Sequence, residues 1–514
     1  MTVVKKKSMI VRLKSFSQQK FKATISMINK LIQSDHVLKW LLLFHFCIWM
    51  IVSLILDIQP DMADHWVWSR RLDWGYNEHP PMVAWMMRLV TTILPIHPVY
   101  ALKIGAVLVS TLILSLAYKV GVSFFNKETA VLYLLILEGT PYFSMGSVFW
   151  HIDQFYMVFW LLGLLSFSRY LQTKNLNYIL LFGVFAGFGA VSKYITLLFY
   201  FSLFFWCIFD QRFRPLFLKW QTYAAGLISF LVFSPVFIWN AVNDWTSFRF
   251  QFKKGVGGSE AILGKLLELT IGHLFVFSLI FTVIVWFLLI SGKLISRPVS
   301  EKYSFLLAAG LVPLLFFSLS SLRGTIAEAH WLNTSYFSIF LLLANYLIEK
   351  RQTIKPLWIN TSFISAYLLN YLILAIILLQ VLFRMIPLPI VVDAATKLVA
   401  WDQSAKQIDL ILEQHQNYEP EYVISREYQL SGSLSLYMAT HPLSHSLEKP
   451  ERNKWSPDEA VKSSQYILVC VPKDCQKARN KIFKKFGKEM KHLEDIETRL
   501  NGYPVRQLSV YVPN

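Results

Sequence analysis

The chain has 514 residues, of which 55% are hydrophobic and only 16% are charged, against about 25% charged residues in an ordinary soluble domain. This composition, with a mean hydropathy of +0.44, excludes a cytosolic globular enzyme, a disordered protein and a nucleic-acid-binding module, and it indicates a polytopic membrane protein. The net charge of +18 fits that class, because basic loops orient such a protein across an anionic bilayer.

Residues 1–37 are polar and basic and carry no small-residue cleavage site, so we predict a cytoplasmic arm before an uncleaved first span. Apolar runs of about 20 residues are long enough to cross a bilayer. The stretch 178–209 is longer and carries Lys193 near its middle, so we interpret it as two short spans that meet at an outer turn. The eleven predicted spans are 38–56, 99–124, 129–149, 155–172, 178–192, 194–209, 217–239, 270–291, 303–320, 332–349 and 357–383.

The distribution of basic residues supports this count. With the N-terminus inside, the inner loops hold Lys127, Lys174, Arg212, Arg214, Lys219, Lys293, Arg297, Lys302, Lys350, Arg351 and Lys355. A single span over 178–209 would place the last three of these inner loops, from Arg212 onward, on the outer side, against the positive-inside rule. Eleven is an odd number, so we expect residues 384–514 to lie outside.

The C-terminal residues 384–514 are polar and differ in pattern from the rest of the chain. They alternate between strand-like runs at 421–425, 465–472 and 507–512 and helical patterns near 400–414 and 473–495. We predict a small α/β domain. Cys470 and Cys475 would lie in a compartment where disulfides persist. The sequence is compatible with either a disulfide bridge between them or two free thiols.

The outer loop 57–98 is the most informative segment. Its first 25 residues or so hold five carboxylates, two histidines, two arginines and three tryptophans. An interfacial helix pair would explain the charges and tryptophans. Against that interpretation, acidic groups at the membrane edge are costly and tend to mark function. The prolines at 80 and 81 also restrict the turn that precedes them.

Two runs in this loop carry a resemblance to a known family. Residues 61–66 read Asp-Met-Ala-Asp-His-Trp, and residues 75–85 read Gly-Tyr-Asn-Glu-His-Pro-Pro-Met-Val-Ala-Trp. They resemble the Asp-Glu-Ala-Tyr-Tyr-Trp and Gly-Tyr-Tyr-Asp-His-Pro-Pro-Met-Val-Ala-Trp runs of GT-C glycosyltransferases in the protein O-mannosyltransferase branch. That branch is related to the lipid A aminoarabinose and galacturonic acid transferases.

Further fragments resemble the same family in the same order. Residues 150–153, Trp-His-Ile-Asp, stand where the family has Thr-Pro-Asp in the second outer loop. Residues 328–331, Glu-Ala-His-Trp, resemble its Glu-x-Asn-Trp. Residues 187–194 and 234–251 resemble a Gly-rich run and the next outer loop. The C-terminal residues 427–430 resemble the family weakly.

The resemblance implies a mostly helical, polytopic GT-C membrane protein with a small α/β domain in the periplasm. It implies an inverting glycosyltransferase of a bacterial inner membrane with its active site on the periplasmic face. The donor would be a sugar on a polyprenyl phosphate, and the acceptor an envelope glycolipid or another envelope molecule. The expected partners are these substrates and membrane lipids, without nucleic acid, metal or cofactor.

The resemblance also assigns roles to residues. A carboxylate is needed to take the acceptor proton, and cations favour the leaving phosphate. The predicted catalytic residues are Asp61 as the base, Asp64 and Asp153. The predicted substrate-binding residues are Arg70, Arg71, Glu78, His79, Lys193, Arg249, Arg323, Glu328 and His330. We expect Asp57 and Asp73 to be solvated at the interface and to tolerate substitution.

Departures from the family motif leave alternatives open. Met62 replaces an acid, and Asp64, one helical turn from Asp61, could supply that carboxylate instead. Met62 also leaves open a non-catalytic membrane scaffold of the same fold. A transporter or flippase would place charges or broken helices at the bilayer midplane and show internal repeats, whereas here the acids gather at outer ends and we find no repeat.

Overall fold

The computed structural model describes residues 36–256, 262–295, 300–322, 328–390, 392–415 and 418–514. Almost all of the predicted basic arm, 1–37, therefore lies outside the described residues. The helices up to Phe383 are α1 Val37–Ile55, α2 Pro60–Ser69, α3 Met82–Ile93, α4 Pro98–Phe124, α5 Lys127–Glu138, α6 Pro141–Ser144, α7 Ile152–Thr173, α8 Asn177–Ser192, α9 Leu198–Phe209, α10 Trp220–Val242, α11 Thr246–Val256, α12 Ile262–Val276, α13 Leu279–Ile290, α14 Glu301–Ser321, α15 Asn333–Glu349 and α16 Pro356–Phe383. The chain thus has a helical membrane-protein fold.

Within the described ranges, six helices are long and apolar enough to cross a membrane, or nine if each of three bent pairs is one span. The six are α1, α4, α10, α14, α15 with the turn before it, and α16. Eleven spans therefore stays a prediction. The interpretation of 178–209 is confirmed as two helices, α8 and α9, which are separated by Lys193 in extended backbone and a short 3-10 turn.

Two predicted spans are not straight helices. The prediction of one continuous span at 270–291 is wrong, because α12 and α13 meet at an angle of 117°. Ser278, between them, adopts a φ of 69°. The span at 129–149 is also bent, by 89°, between α5 and the segment Pro141–Val148. Pro141 lacks a backbone N–H and cannot continue α5 in a straight line.

A buried polar network holds this second bend. Nδ1 of His45 on α1 lies 2.7 Å from Oε2 of Glu138 at the end of α5. The other oxygen of Glu138 accepts hydrogen bonds from Nε1 of Trp49 at 3.0 Å and the hydroxyl of Tyr371 at 3.2 Å. The Nε2 of His45 lies 3.0 Å from the Ser110 hydroxyl. The network therefore ties α1, α4 and α16 to the end of α5, where the chain turns.

The C-terminal residues form the predicted α/β domain around one five-stranded sheet. Its strands are β1 Tyr422–Ser425, β2 Leu443–Ser446, β3 Tyr466–Cys470, β4 Met490–Leu500 and β5 Tyr503–Pro513. Its helices are α17 Trp401–Gln414, α18 Tyr428–Tyr437, α19 Asp458–Ser463 and α20 Pro472–Phe486. The order is β2-β1-β3-β5-β4, with β1 parallel to both β2 and β3 and with β5 antiparallel to β3 and β4.

Two predictions for this domain are decided by the structure. The helix expected over 473–495 ends at Phe486, because Gly487 adopts a left-handed φ of 67° that closes the helix, and β4 follows. Cys470 and Cys475 form a disulfide, with their Cα atoms 5.3 Å apart. Of the two alternatives left open, the bridge is therefore the one found.

The two faces of the sheet pack against different partners. Val423, Ile467 and Val510 belong to the same buried cluster as Met62 and Ala63 of α2, so this face of the sheet lies toward the membrane domain. The other face packs against α20 in a separate cluster. The arrangement brings α18 and the turn Pro450–Arg452 beside the first outer loop.

Candidate active site

The short helix α2 carries the first two candidate carboxylates. Gln59 caps it: its Oε1 accepts hydrogen bonds from the backbone N–H groups of Asp61 at 3.0 Å and Met62 at 3.1 Å. Pro60 occupies the first helical position, where a missing N–H costs nothing. Asp61 lies in the first turn, where the helix dipole favours a negative charge.

Asp61 is half-buried and receives hydrogen bonds from both domains. Its Oδ2 accepts from Nε2 of Gln59 at 3.0 Å, and its Oδ1 accepts from the Tyr428 hydroxyl at 3.2 Å and from Nε2 of Gln429 at 3.1 Å. Burial raises the pKa of Asp61, but the hydrogen bonds from Gln59, Gln429 and Tyr428 outweigh it and hold the pKa below the ordinary value. Asp61 is thus an ionised carboxylate at neutral pH.

Asp64 occupies a different environment one helical turn later. It is buried and forms an ion pair with Arg452, which also pairs with Glu78. Burial raises the pKa of Asp64 to about 7, even though Arg452 favours the charged form. The Arg452 guanidinium stacks 3.5 Å from the centre of the Tyr428 ring, so it also supports a residue that holds Asp61.

Asp153, at the start of α7, is the centre of a second cluster. Its carboxylate is buried and lies 2.5 Å from Nζ of Lys193. The hydroxyl of Tyr142 donates to it at 2.9 Å. Nδ1 of His151 lies 3.5 Å away and Nε2 of His330 lies 3.6 Å away. The predicted residues Asp153, Lys193 and His330 are therefore brought together.

Glu328 extends this second cluster. Its Oε1 lies 2.5 Å from Nζ of Lys254, and its Oε2 lies 3.4 Å from Nδ1 of His330. Lys193 and Lys254 both approach the indole of Trp331, at 5.9 Å and 5.0 Å from the ring centre. Positive charge and an aromatic face thus lie side by side next to Asp153.

Histidine rings join the two clusters. The ring centres of His65 on α2 and His151 are 6.2 Å apart, and those of His151 and His330 are 5.8 Å apart. The row leads from the helix of Asp61 to Asp153 and Glu328. The two clusters therefore form one site where α1 ends and α7 and α15 begin.

The remaining predicted substrate-binding residues are more dispersed. Arg70 donates to the backbone oxygen of His441 at 2.6 Å and thereby contacts the C-terminal domain. Arg71 and Arg249 are exposed. Arg323 lies outside the described residues. Their roles in binding substrate stay predictions.

His79 lies at the edge of the site and packs against α11, the helix that carries Arg249. Its Nδ1 is 3.4 Å from Nε2 of Gln251, which also donates to the backbone oxygen of Glu78 at 2.7 Å. Burial lowers the pKa of His79 well below its ordinary value, and nearby cations add to the effect. His79 is therefore uncharged at neutral pH.

The expectation that Asp57 and Asp73 are solvated is wrong. Oδ2 of Asp57 accepts a hydrogen bond from the backbone N–H of Trp401 at 2.8 Å, which joins the first outer loop to the C-terminal domain. Oδ2 of Asp73 accepts from Nε1 of Trp239 and pairs with Nζ of Lys454, both at 2.7 Å. Both carboxylates therefore link distant parts of the chain, and we no longer expect them to tolerate substitution.

Sequence reasoning missed several residues of the site, among them Tyr142, which donates to Asp153. Tyr428 and Gln429 lie in a run that resembles the family only weakly, and Arg452 had no sequence signal. Tyr428 and Asp61 are 367 positions apart in the sequence, and Arg452 and Asp64 are 388 positions apart. Local sequence patterns therefore could not pair them. His65 was visible only as a departure from the motif.

A cavity of about 290 Å³ opens beside Arg452 between the loop at Gly75, the end of α10 and the turn at Lys454. Tryptophans 68, 239 and 455 line it together with several polar residues. Among the described residues, no group of three or more His, Cys, Asp or Glu side chains could hold a metal ion.

Residues 78–239 match the family described as dolichyl-phosphate-mannose-protein mannosyltransferase. Lipid A galacturonosyltransferase RgtD of Rhizobium johnstonii is 27% identical over 164 residues, which are 30% of this chain and 34% of the relative. The match thus spans about a third of the relative's length.

Solved structures extend the similarity to the whole fold. The crystal structure of ArnT from Cupriavidus metallidurans bound to undecaprenyl phosphate superposes with a TM-score of 0.62 at 11% identity, covering 93% of this chain and 98% of ArnT. An apo oligosaccharyltransferase of Archaeoglobus fulgidus gives 0.50 at 11% identity, covering 88% of this chain and 72% of that one. The predicted GT-C resemblance and the ArnT-like fold are confirmed.

Proposed function

We propose that this chain is an inverting glycosyltransferase that moves a sugar from a polyprenyl-phosphate donor to an envelope glycolipid or another acceptor at the periplasmic face of the inner membrane. The observation that carries the proposal is Asp61, an ionised carboxylate at the outer end of α1 held by groups from both domains. The relative named as a lipid A galacturonosyltransferase and the ArnT structure bound to undecaprenyl phosphate support the same activity.

In this mechanism Asp61 accepts the proton of an acceptor hydroxyl while the hydroxyl oxygen forms a bond to the anomeric carbon. The bond from that carbon to the phosphate oxygen breaks, and the polyprenyl phosphate leaves with the electron pair. One displacement inverts the configuration. A general base of this kind contributes roughly a hundred- to ten-thousand-fold in rate.

The departing phosphate needs positive charge, and the second cluster supplies candidates. Lys193 has three N–H donors, and its contact with Asp153 leaves capacity for a phosphate oxygen. We assign phosphate binding to Lys193 of this cluster, together with Arg249 and Arg323, which are predicted from the sequence to bind substrate. Neutral replacement of all three without any change in donor dependence would remove that assignment.

The disulfide Cys470–Cys475 supports the periplasmic placement of the C-terminal domain, since such bridges persist in oxidising compartments. The acceptor hydroxyl would then arrive from the outer leaflet or the periplasm.

The direct test is transfer in vesicles that contain the purified chain, a radiolabelled sugar on undecaprenyl phosphate and a lipid extract of the host envelope. We expect label in an acceptor fraction with wild type and none with Asp61→Asn. In parallel, the glycolipid profile of cells lacking the chain should lose a species. An unchanged profile together with no label transfer would contradict the enzyme and favour a scaffold.

A further inference from the structure

Three departures from the family motif are histidines, and the structure brings them together. His65 stands where the first motif has its second tyrosine, His151 where the second outer loop has threonine, and His330 where Glu-x-Asn-Trp has asparagine. They come from positions up to 265 residues apart in the sequence. Their ring centres nevertheless follow one another at 6.2 Å and 5.8 Å.

The histidines differ in how far their hydrogen-bonding capacity is used. His65 is 6% exposed, and its Nδ1 is buried without a hydrogen-bond partner. An unpaired buried polar atom costs about 1–3 kcal/mol. His151 is 40% exposed in its side chain and His330 is 27% exposed, so the row runs from a buried end to an open end. A ligand entering at the open end meets the rings of His151 and His330.

The charges around the row are already balanced by protein groups. Within the parts of the chain that the structure describes, Lys193 is paired with Asp153, Lys254 with Glu328, and Arg452 with Asp64 and Glu78. Burial lowers the pKa of His65 to about 3, so that ring is neutral. The three histidines add hydrogen-bonding groups to the site, and carboxylates lie at both ends of the row that they form.

We propose that His65, His151 and His330 form the subsite for the transferred sugar, and that this subsite selects an uncharged, hydroxyl-bearing sugar over a carboxylated one. The proposal rests on the proposed function and specifies its substrate class. The neutral imidazoles of His65 and His330 each offer one donor and one acceptor, which complements a hydroxyl group. A sugar carboxylate would instead lie near the ionised Asp61, which repels it, while Lys193 and Lys254 are already paired with Asp153 and Glu328.

The subsite can be tested by equilibrium binding in lipid nanodiscs, without knowledge of the acceptor. The probes are undecaprenyl phosphate alone, undecaprenyl-phosphate glucose and undecaprenyl-phosphate glucuronic acid. We expect wild type to bind the glucose lipid at least about tenfold more tightly than the glucuronic acid lipid. A tenfold ratio of the two Kd values corresponds to about 1.4 kcal/mol, the contribution of about one hydrogen bond.

Variants assign that preference to the histidines. His65→Phe keeps an aromatic ring without nitrogens, while His151→Thr and His330→Asn restore the motif residues. Each should reduce the advantage of the glucose lipid several-fold and leave the Kd of the bare carrier unchanged. His492→Asn, at an exposed position of β4, is the matched control. It should change neither the preference for the glucose lipid nor the Kd of the bare carrier. His151→Thr, at the open end of the row, keeps the test valid if His65→Phe does not fold.

The outcomes separate the subsite from the function on which it rests. Equal or tighter binding of the glucuronic acid lipid, or variants that weaken all three lipids alike, would overturn the subsite while carrier binding still supports the enzyme. If none of the three lipids binds, carrier use itself fails and the subsite falls with it.

Discussion

The hydroxyl of Tyr428 donates a hydrogen bond of 3.2 Å to Oδ1 of Asp61, and so joins the C-terminal domain to the proposed base in the first outer loop. Gln429 donates to the same oxygen at 3.1 Å. The site is therefore composite: the membrane domain supplies the carboxylate, and the C-terminal domain orients it and favours its ionised form.

Asp61→Asn is expected to lower the rate of sugar transfer about a hundred- to ten-thousand-fold, because asparagine keeps the size and cannot accept the acceptor proton. The Kd for undecaprenyl phosphate should change little. The measurement is initial transfer rate and carrier binding on the same vesicle preparation. The exposed Asp402→Asn is the control. If Asp64→Asn abolishes transfer and Asp61→Asn does not, then Asp64 is the base.

Tyr428→Phe should shift the acidic limb of the pH–rate profile to higher pH. The hydroxyl stabilises the ionised form of Asp61, so its loss raises the pKa and the base becomes available only at higher pH. The profile of kcat/KM against pH measures this shift. A purely structural role would lower the rate at every pH without moving the limb.

How much of this could be read from the sequence depends on the range of each interaction. Hydropathy is local, so the long helices and the division at Lys193 were predicted. The break between Val276 and Leu279 was not, because the residues there carry no proline or glycine signal. Phe277 at the break is fully buried and stacks on Tyr336 with ring centres 4.1 Å apart, a tertiary contact that a window along the chain does not register.

The same distinction applies to the site. Asp61, Asp153 and Lys193 lie in motif-like runs and were found as candidates. Arg452 lies in an ordinary polar turn, and its pairing with Asp64 and Glu78 depends on how a separate domain packs. Asp57 and Asp73 were misjudged for that reason, since their partners belong to distant segments.

The elevated pKa of Asp64, about 7, predicts a pH-dependent contribution to stability. The folded chain holds the Asp64 proton more tightly than the unfolded chain, whose aspartates titrate near 3.9. The contribution of Asp64 is therefore fully present below about pH 4 and is lost as the pH rises to about 7. The melting temperature of wild type minus that of Asp64→Asn should therefore fall as the pH rises from about 4 to about 7. A difference that rises with pH would show that the ion pair with Arg452 outweighs burial.

Glu138→Ala should destabilise the membrane domain by several kcal/mol, because each buried donor left without its acceptor costs about 1–3 kcal/mol. His45, Trp49 and Tyr371 would all lose their acceptor. Thermal unfolding in detergent measures the loss, and Glu128→Ala, which removes an exposed ion pair with Arg351, should cost less than about 1 kcal/mol. Replacing both His45 and Glu138 by leucine should recover part of the loss, because the buried His45 ring then no longer lacks its partner.

The Cys470–Cys475 bridge tests the topology of the chain. The two cysteines close a loop of five positions between β3 and α20, and such a bridge persists only where thiols are not kept reduced. Mass spectrometry after alkylation without reduction should find both residues unmodified, and reduction should expose them together. In parallel, a reporter fused after residue 514 that is active only outside the cytoplasm should be active. Activity of a cytoplasm-only reporter at that position would place the C-terminal domain inside, make the span count even, and remove the periplasmic assignment of the Asp61 site, because Tyr428 and Asp61 lie on one side of the membrane.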